Sequence, residues 1–99
     1  VHVRRGDVVA VHSLRRGAAE AIEAIAHGDS ANSKVVGKTV EQVELPEGTT
    51  IGAIIRGDEV IIAHHDTVIK NDDHCILFLT DRHMIHDVER LFAVTLGFF

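Results

Sequence analysis

The chain has 99 residues and a formal net charge of −5, with 10 Lys and Arg against 15 Asp and Glu. This acidic balance lacks the basic field that nucleic-acid binding requires. Hydrophobic residues make up 45% and charged residues 25%, which is ordinary for a globular domain and excludes a disordered chain. No apolar run approaches the roughly 20 residues that cross a bilayer, and no signal peptide is visible. We therefore expect one domain that binds no nucleic acid and does not insert into a membrane.

The chain begins at Val1 rather than at a methionine, so we expect either a piece of a longer protein or a chain from which a tag was removed. Residues 1–5 are predicted to be the last turn of a helix from a preceding segment. We accordingly assign residues 1–7 to that segment and residues 8–99 to the domain itself. Residues 8–14, VVAVHSL, are rich in β-branched side chains and are predicted to form a strand.

The next segment, residues 18–27, supports two interpretations. Its alanines and glutamates are strong helix formers, so propensity favours a helix. The alternation of Glu20, Ile22 and Ala24 with their neighbours also suits a strand, and the short connection from residue 14 suits a hairpin. Propensity alone favours the helix, and the strand remains open.

Residues 49–63, TTIGAIIRGDEVIIA, are predicted to form a β-hairpin around Gly57-Asp58, a pair that favours tight primed turns. Both strands carry apolar residues on both faces, so we expect this hairpin to be a core element covered on two sides. Before it, Thr39 and Gln42 have the spacing of a capping box and predict a single helical turn.

Two elements follow the hairpin. Residues 75–80, CILFLT, are apolar on both faces and predict a central strand. Residues 82–92 predict a helix whose N-terminus is capped by Thr80 or Asp81. Phe98 and Phe99 are expected to dock on this domain or on a neighbour. The helix carries one apolar stripe, formed by Met84, Ile85, Val88, Leu91 and Phe92.

Candidate catalytic and metal sites are weak. His83 and His86 are three residues apart on the predicted helix and could share a metal, but the polar helix face explains them better. Cys75 lies in an apolar strand, where a thiol is buried and inert. No nucleophile elbow accompanies a serine, and no glycine-rich phosphate loop occurs. We expect no enzyme.

Arg56 ends a strand just before the tight turn. Its guanidinium could meet an anion or an acidic partner there. The alternative is a solvated strand end with a loose ion pair to Asp58 or Glu59, which contributes little.

The order and spacing of several short motifs resemble one family, the C-terminal module of the regulators of potassium conductance (RCK), in its TrkA_C-like form. The resemblance covers about residues 3–99. The motifs are Val36-Gly37-Lys38, Leu45-Pro46, Ile55-Arg56-Gly57, Asp72-Asp73, the strand at 75–80 and Leu91-Phe92.

The resemblance implies an α+β fold, mostly antiparallel sheet with a C-terminal helix, and a strand at residues 19–26. It implies a non-catalytic, cytoplasmic module, peripheral to the membrane, of a TrkA-like regulator that gates the membrane-embedded Trk potassium channel subunit. NAD(H) or ATP is then expected on separate nucleotide-binding modules, with no cofactor here, and the protein is expected to form a homo-oligomer.

The resemblance also implies an alternative role. Some modules of this family bind a cyclic dinucleotide or another small anionic effector at a dimer interface. The matching positions here are Ile54, Ile55 and Arg56, which gives an effector-sensing domain as the second interpretation.

Overall fold

The structure is a computed structural model, which describes residues 2–4, 7–14 and 19–96, with the side chains of residues 19–93. Two short 3-10 turns, Val40–Gln42 and Arg82–Met84, accompany the regular elements. The strands and the helix are β1 (His2–Arg4), β2 (Asp7–Leu14), β3 (Ala19–Ile25), β4 (Thr49–Arg56), β5 (Glu59–Ile62), β6 (His74–Leu79), α1 (Ile85–Leu91) and β7 (Val94–Leu96).

Five strands form one antiparallel sheet in the order β2-β3-β6-β4-β5. β1 and β7 form a separate two-stranded pair. The predicted α+β fold, mostly antiparallel sheet with a C-terminal helix, is therefore confirmed. The helical turn predicted at residues 1–5 is wrong, because His2–Arg4 is a strand hydrogen-bonded to Val94–Leu96. A ladder supplies the backbone hydrogen bonds that one isolated helical turn could not sustain.

The segment from Ala19 to Ile25 is a strand, so propensity gave the wrong assignment and the family resemblance the right one. β3 lies between β2 and β6 and pairs with both of them. Its even-numbered residues are buried and its odd-numbered ones are half-buried. Pairing on both sides outweighs the helix preference of alanine and glutamate, which amounts to only about 0.7 kcal/mol per residue at most.

The hydrophobic core lies on one face of this sheet, which we call the inner face. Ile22, Leu77 and Ile51 stand side by side on it in neighbouring strands, and all three are buried. The helix and the residue after it add Val88, Leu91 and Phe92 to the same cluster. Within the described residues, no helix is long and apolar enough to cross a membrane.

We call the opposite face of the sheet the open face. Its exposure corrects part of the prediction made for the hairpin. β4 and β6 are interior strands, as predicted, but β5 ends the sheet. Val60 and Ile62 are each 64% exposed, so the prediction that the hairpin is covered on two sides is wrong for β5. The core elements pack on the inner face, and among the described residues β5 pairs with β4 alone. Phe78 on β6 is also 44% exposed.

The local signals at the helical turns are confirmed. Thr39 and Gln42 form the complete capping box around the first 3-10 turn. Asp81 caps the second, accepting a hydrogen bond from the backbone N–H of His83 at 2.9 Å. α1 itself begins at Ile85, since the first predicted turn is a 3-10 turn. Phe98 and Phe99 lie outside the described residues.

Candidate functional site

The strongest polar arrangement of the domain lies at one end of the central strands. β4 and β6 run antiparallel, with Ile55 opposite His74. The next pair outward is Arg56 and Asp73, so the register itself brings this arginine to this aspartate. Asp73 is fully buried, while the side chain of Arg56 is 31% exposed.

The Asp73 carboxylate receives three hydrogen bonds. Arg56 donates two in parallel, from Nε to Oδ1 at 2.9 Å and from Nη2 to Oδ2 at 2.7 Å. The backbone N–H of Lys70 donates the third at 2.8 Å, and Arg56 Nη2 also donates to the carbonyl of Val68 at 3.0 Å. The pair thereby ties the end of β4 to the loop that leads into β6. A buried carboxylate is stable only when it is satisfied in this way.

The electrostatics agree with the geometry. The hydrogen bond to Asp73 raises the pKa of Arg56 above its ordinary value, against the opposing effect of desolvation. The guanidinium is therefore a permanent cation whose charge is balanced within the chain. The partner predicted from sequence, Asp58 or Glu59, is replaced by Asp73. Sequence reasoning did not predict that Asp73 pairs with Arg56. Residues 71–73 match a turn motif, and aspartate is common in turns for reasons of local hydrogen bonding.

The other two predicted ligand residues do not share a surface. Ile54 lies on the inner face opposite Cys75 and is fully buried. Ile55 lies on the open face opposite His74 and is half-buried. Asp73 accepts hydrogen bonds from Nε and Nη2 of Arg56, so an anion would have to bind at Nη1 or displace Asp73. A ligand site at Ile54, Ile55 and Arg56 stays a prediction.

The two histidines of the weak metal prediction each have a carboxylate neighbour. His83 Nδ1 lies 2.8 Å from Asp81 Oδ1, and His86 Nδ1 lies 3.2 Å from Glu89 Oε1. Among the described residues, no three His, Cys, Asp or Glu side chains gather in an arrangement that could hold a metal. The shared site at His83 and His86 stays a prediction.

Sequence reasoning missed a further histidine pair. His74 Nδ1 lies 2.5 Å from Glu23 Oε2, on the open face of the sheet. Both side chains are partly exposed. The alternation of residues along β3 could have indicated this pair. It places Glu23 on the same face of the sheet as Ile25, and Ile25 lies opposite His74.

A shallow groove of about 340 Å³ lies elsewhere on the surface. Arg90 and Asp87, both in its lining, form an ion pair with each other. The lining holds equal numbers of cations and carboxylates and so favours neither sign of ligand. None of the three predicted ligand residues lines it. Its residues are Lys34, Glu44, Pro46, Asp87, Arg90 and Leu91.

The single cysteine is buried in the core, as predicted. Cys75 is fully buried on the inner face. Burial, followed by the negative charge of Asp73, raises the pKa of its thiol to about 12. A thiol in this state is a poor nucleophile, because the thiolate is the reactive form.

Comparison with known proteins gives a consistent result. Residues 30–93 match the model of the TrkA-C domain. The chain is 66% identical over 98 residues to the Trk system potassium uptake protein TrkA of Halomonas elongata, which covers 99% of this chain and 21% of that protein. It is 63% identical over 91 residues to TrkA of Vibrio alginolyticus, covering 92% of the chain and 20% of that protein.

A third relative, TrkA of Haemophilus influenzae, is 45% identical over 91 residues. The chain spans about a fifth of the length of these relatives. The family match covers well over half of the chain, and its fold has the predicted composition of strands and one helix. This chain therefore belongs to the TrkA-C domain family.

Proposed function

We propose that this domain is a non-catalytic regulatory and assembly module of a protein that serves bacterial Trk potassium uptake. One observation carries the proposal, the 66% identity to Trk system potassium uptake protein TrkA over 99% of the chain. At that identity the fold and most side-chain environments are shared. The matched protein is about five times longer, so the module acts within a larger chain.

The polar chemistry of the domain supports a structural role. Arg56 and Asp73 neutralise each other, and their hydrogen bonds fasten the sheet to its loop. Cys75 lies in the core with a raised pKa. These groups hold the domain together and are not arranged to attack a substrate. We infer that this domain supports a change that is made elsewhere in the protein.

Regulation then follows from linkage. NAD(H) or ATP would bind nucleotide-binding modules in the rest of the protein and favour one arrangement of the assembly. This domain would help to hold that assembly together on the cytoplasmic side of the membrane. The arrangement of the assembly would set the conductance of the membrane-embedded Trk channel subunit.

A transplant tests the proposal. This chain replaces the matching segment of Halomonas elongata TrkA, in cells that lack their own copy, and potassium uptake is measured at low external potassium. We expect uptake at the rate of the parent protein. A chimera with Val88→Asp in the fully buried core provides the inactive control. A chimera that is made in normal amounts but takes up no potassium would refute the proposal.

Effector sensing is the second candidate. It is favoured by the side chain of Arg56, which is 31% exposed and permanently cationic at the end of β4. A small anion could reach its outer side without entering the core. Calorimetry with cyclic dinucleotides tests this role, with Arg56→Lys as the variant because it keeps the positive charge beside Asp73. The absence of heat with the unmodified domain would end this candidate.

A further inference from the structure

Apolar side chains cover most of the open face of the sheet. They come from the four strands whose side chains are described, and they stand in rows across neighbouring strands. These residues are Ile25, Ile55, Val60, Ile62, Ile76 and Phe78. Val60 and Ile62 are each 64% exposed and Phe78 is 44% exposed, while the other three are half-buried. An apolar patch of this kind marks a surface that another molecule covers.

The strands that form this face carry almost no positive charge. In β3, β4, β5 and β6, Arg56 is the only lysine or arginine. Its guanidinium is bound by Asp73, so it adds no free cation. Glu23 lies on the open face with its side chain 29% exposed, and its contact with His74 uses only one of its two carboxylate oxygens, Oε2.

Further acidic side chains border the face. Asp58 and Glu59 precede Val60 at the turn of the hairpin and are exposed. Among the described residues, neither carboxylate takes part in a hydrogen bond or a salt bridge. Asp72, with its side chain 75% exposed, lies 3.4 Å from His27 just past the end of β3. The open face is therefore an apolar surface with an acidic border.

We infer that the open face docks a basic amphipathic segment from a cytoplasmic loop of the membrane-embedded channel subunit. This rests on the proposed function, which puts the domain on the cytoplasmic side of that subunit. Cytoplasmic loops of membrane proteins carry an excess of lysine and arginine, which complements the acidic border. Apolar side chains of the segment would cover Val60, Ile62 and Phe78, and its cations would meet Glu23 and Asp58.

Charge disfavours two other occupants of the face. The cytoplasmic surface of a membrane is negative, so it repels an acidic face. A second copy of this chain placed face to face would bring the same carboxylates against each other, which lowers affinity. A cationic segment meets neither penalty.

The dimensions of the face fit one such segment. Four strands at a spacing of about 4.8 Å give about 14 Å between the outer two, and a helix with its side chains is about 10 Å wide. A contact of this size buries less than the roughly 1,200 Å² of a stable interface. We therefore expect a Kd between about 10 μM and 1 mM for a single domain. Several copies in one assembly would bind the subunit more tightly.

Fluorescence anisotropy measures the binding. The probes are labelled synthetic peptides that cover each cytoplasmic loop of the Trk channel subunit, titrated with the 99-residue chain up to about 1 mM. We expect at least one peptide rich in lysine and arginine to bind. Its affinity should fall about fivefold or more between about 0.05 M and about 0.5 M salt, because salt screens exposed charges. The same peptide with every lysine and arginine replaced by glutamate should not bind.

Two matched pairs of variants locate the contact. Ile62→Lys puts a cation into the apolar face and should weaken binding at least about tenfold, whereas Val68→Lys, at a 42% exposed valine outside the sheet, should not. Glu23→Gln removes a carboxylate from the face and should weaken binding about threefold. Glu44→Gln, at an exposed glutamate outside the sheet, should leave binding unchanged. Circular dichroism checks that each variant is folded.

Several outcomes would overturn the inference. They are no binding of any loop peptide at about 1 mM, equal weakening by Ile62→Lys and Val68→Lys, or equal weakening by Glu23→Gln and Glu44→Gln. Equal binding of the charge-reversed peptide, or of vesicles of anionic lipid, would also refute it. A dimer of this chain that Ile62→Lys abolishes, with no peptide bound, would assign the face to a second copy instead.

The potassium-uptake transplant separates failure of this inference from failure of the proposed function. A chimera that carries Ile62→Lys should be made in normal amounts but take up potassium more slowly than the parent chimera. Equal uptake by the two chimeras refutes the docking and leaves the regulatory role intact. Absence of uptake in the parent chimera refutes the proposed function itself.

Discussion

Asp73 holds Arg56 through two parallel hydrogen bonds of 2.7 and 2.9 Å, across a separation of 17 residues in the chain. The aspartate is fully buried and the arginine reaches it from the end of a neighbouring strand. The pair links the hairpin to the loop before β6, so the residue predicted to bind an anion also stabilises the fold. Any test of ligand binding at Arg56 must separate these two roles.

The first prediction concerns the stability of this pair. Arg56→Ala leaves the Asp73 carboxylate buried without its main partner, and we expect the free energy of unfolding to fall by about 2–4 kcal/mol. Arg56→Lys keeps the charge but loses the parallel pair of bonds, so we expect about half that loss. Urea denaturation measures both.

An exposed pair in the same domain provides the control. Arg90→Ala removes a solvent-facing ion pair with Asp87 and should cost less than about 1 kcal/mol. Arg56→Ala combined with Asp73→Asn should cost clearly less than the sum of the two single changes. Equal losses in Arg56→Ala and Arg90→Ala would contradict the structural role of Asp73.

The second prediction concerns Gly52. A Cβ atom at this position would lie 2.5 Å from Cε2 and 3.1 Å from Cδ2 of Phe78, so the ring must move. Because Phe78 is 44% exposed, its ring can turn away, and we expect Gly52→Ala to lower the free energy of unfolding by about 1–2 kcal/mol. Thermal and urea denaturation measure this loss.

A second glycine separates crowding from backbone strain. Gly57→Ala should cost about 1 kcal/mol, because its φ of +61° disfavours a side chain although nothing lies within 4 Å. In a Phe78→Ala background, the loss from Gly52→Ala should largely disappear, while the loss from Gly57→Ala should remain. If both losses persist unchanged in the Phe78→Ala background, crowding against Phe78 does not explain the loss from Gly52→Ala.

Much of the fold follows from local patterns. The turn at Gly57-Asp58, the capping box of Thr39 and Gln42, and the strand beginning near Cys75 depend on residues close in sequence. Those patterns predicted them correctly. β3 could not be predicted from its own residues, because its two neighbouring strands decide its conformation. Only the family resemblance carried that information.

The polar site and the exposure of β5 depend on relations between strands that no local pattern contains. The pairing of Arg56 with Asp73 follows from the register of β4 against β6, which the sequence does not display. The exposure of Val60 and Ile62 follows from the order of the strands. An apolar pattern indicates that a surface becomes buried, but it does not say whether the chain itself or a second copy covers it.

The third prediction concerns Asp81, which caps the turn before α1. Hydrogen bonds from the backbone and then the ring of His83 lower the pKa of Asp81 below its ordinary value of 3.8. The native state thus binds this proton more weakly than the unfolded state. The contribution of the cap is therefore present above pH 3.8 and is lost as pH falls through the lower native pKa.

Asp81→Asn isolates this contribution, because asparagine also caps helices but does not titrate. The free energy of unfolding of the parent minus that of Asp81→Asn should be constant above about pH 5 and should decline below pH 3.8. His83→Ala removes only the ring donor and should reduce the decline without abolishing it. A difference that does not change with pH would show that Asp81 does not act as a charged cap.

The last prediction concerns Cys75, whose buried thiol has a pKa of about 12 against an ordinary value of 9.0. Between these values the unfolded state loses its proton and the native state keeps it, so stability is full below pH 9.0 and falls as pH rises. The slope due to this thiol can reach about 1.4 kcal/mol per pH unit. The chain has no tyrosine, so no phenol adds to the change in stability in this pH range.

Cys75→Ala removes the thiol and leaves every other titratable side chain in place. The stability of the parent minus that of the variant should be constant up to pH 9.0 and should fall steadily above it. At pH 8 a thiol reagent should react with the native parent far more slowly than with the chain in urea, since only the unfolded chain exposes the thiolate. Rapid reaction of the native chain, together with a difference that stays flat above pH 9.0, would show that the thiol is accessible and that the core around Cys75 is open to water.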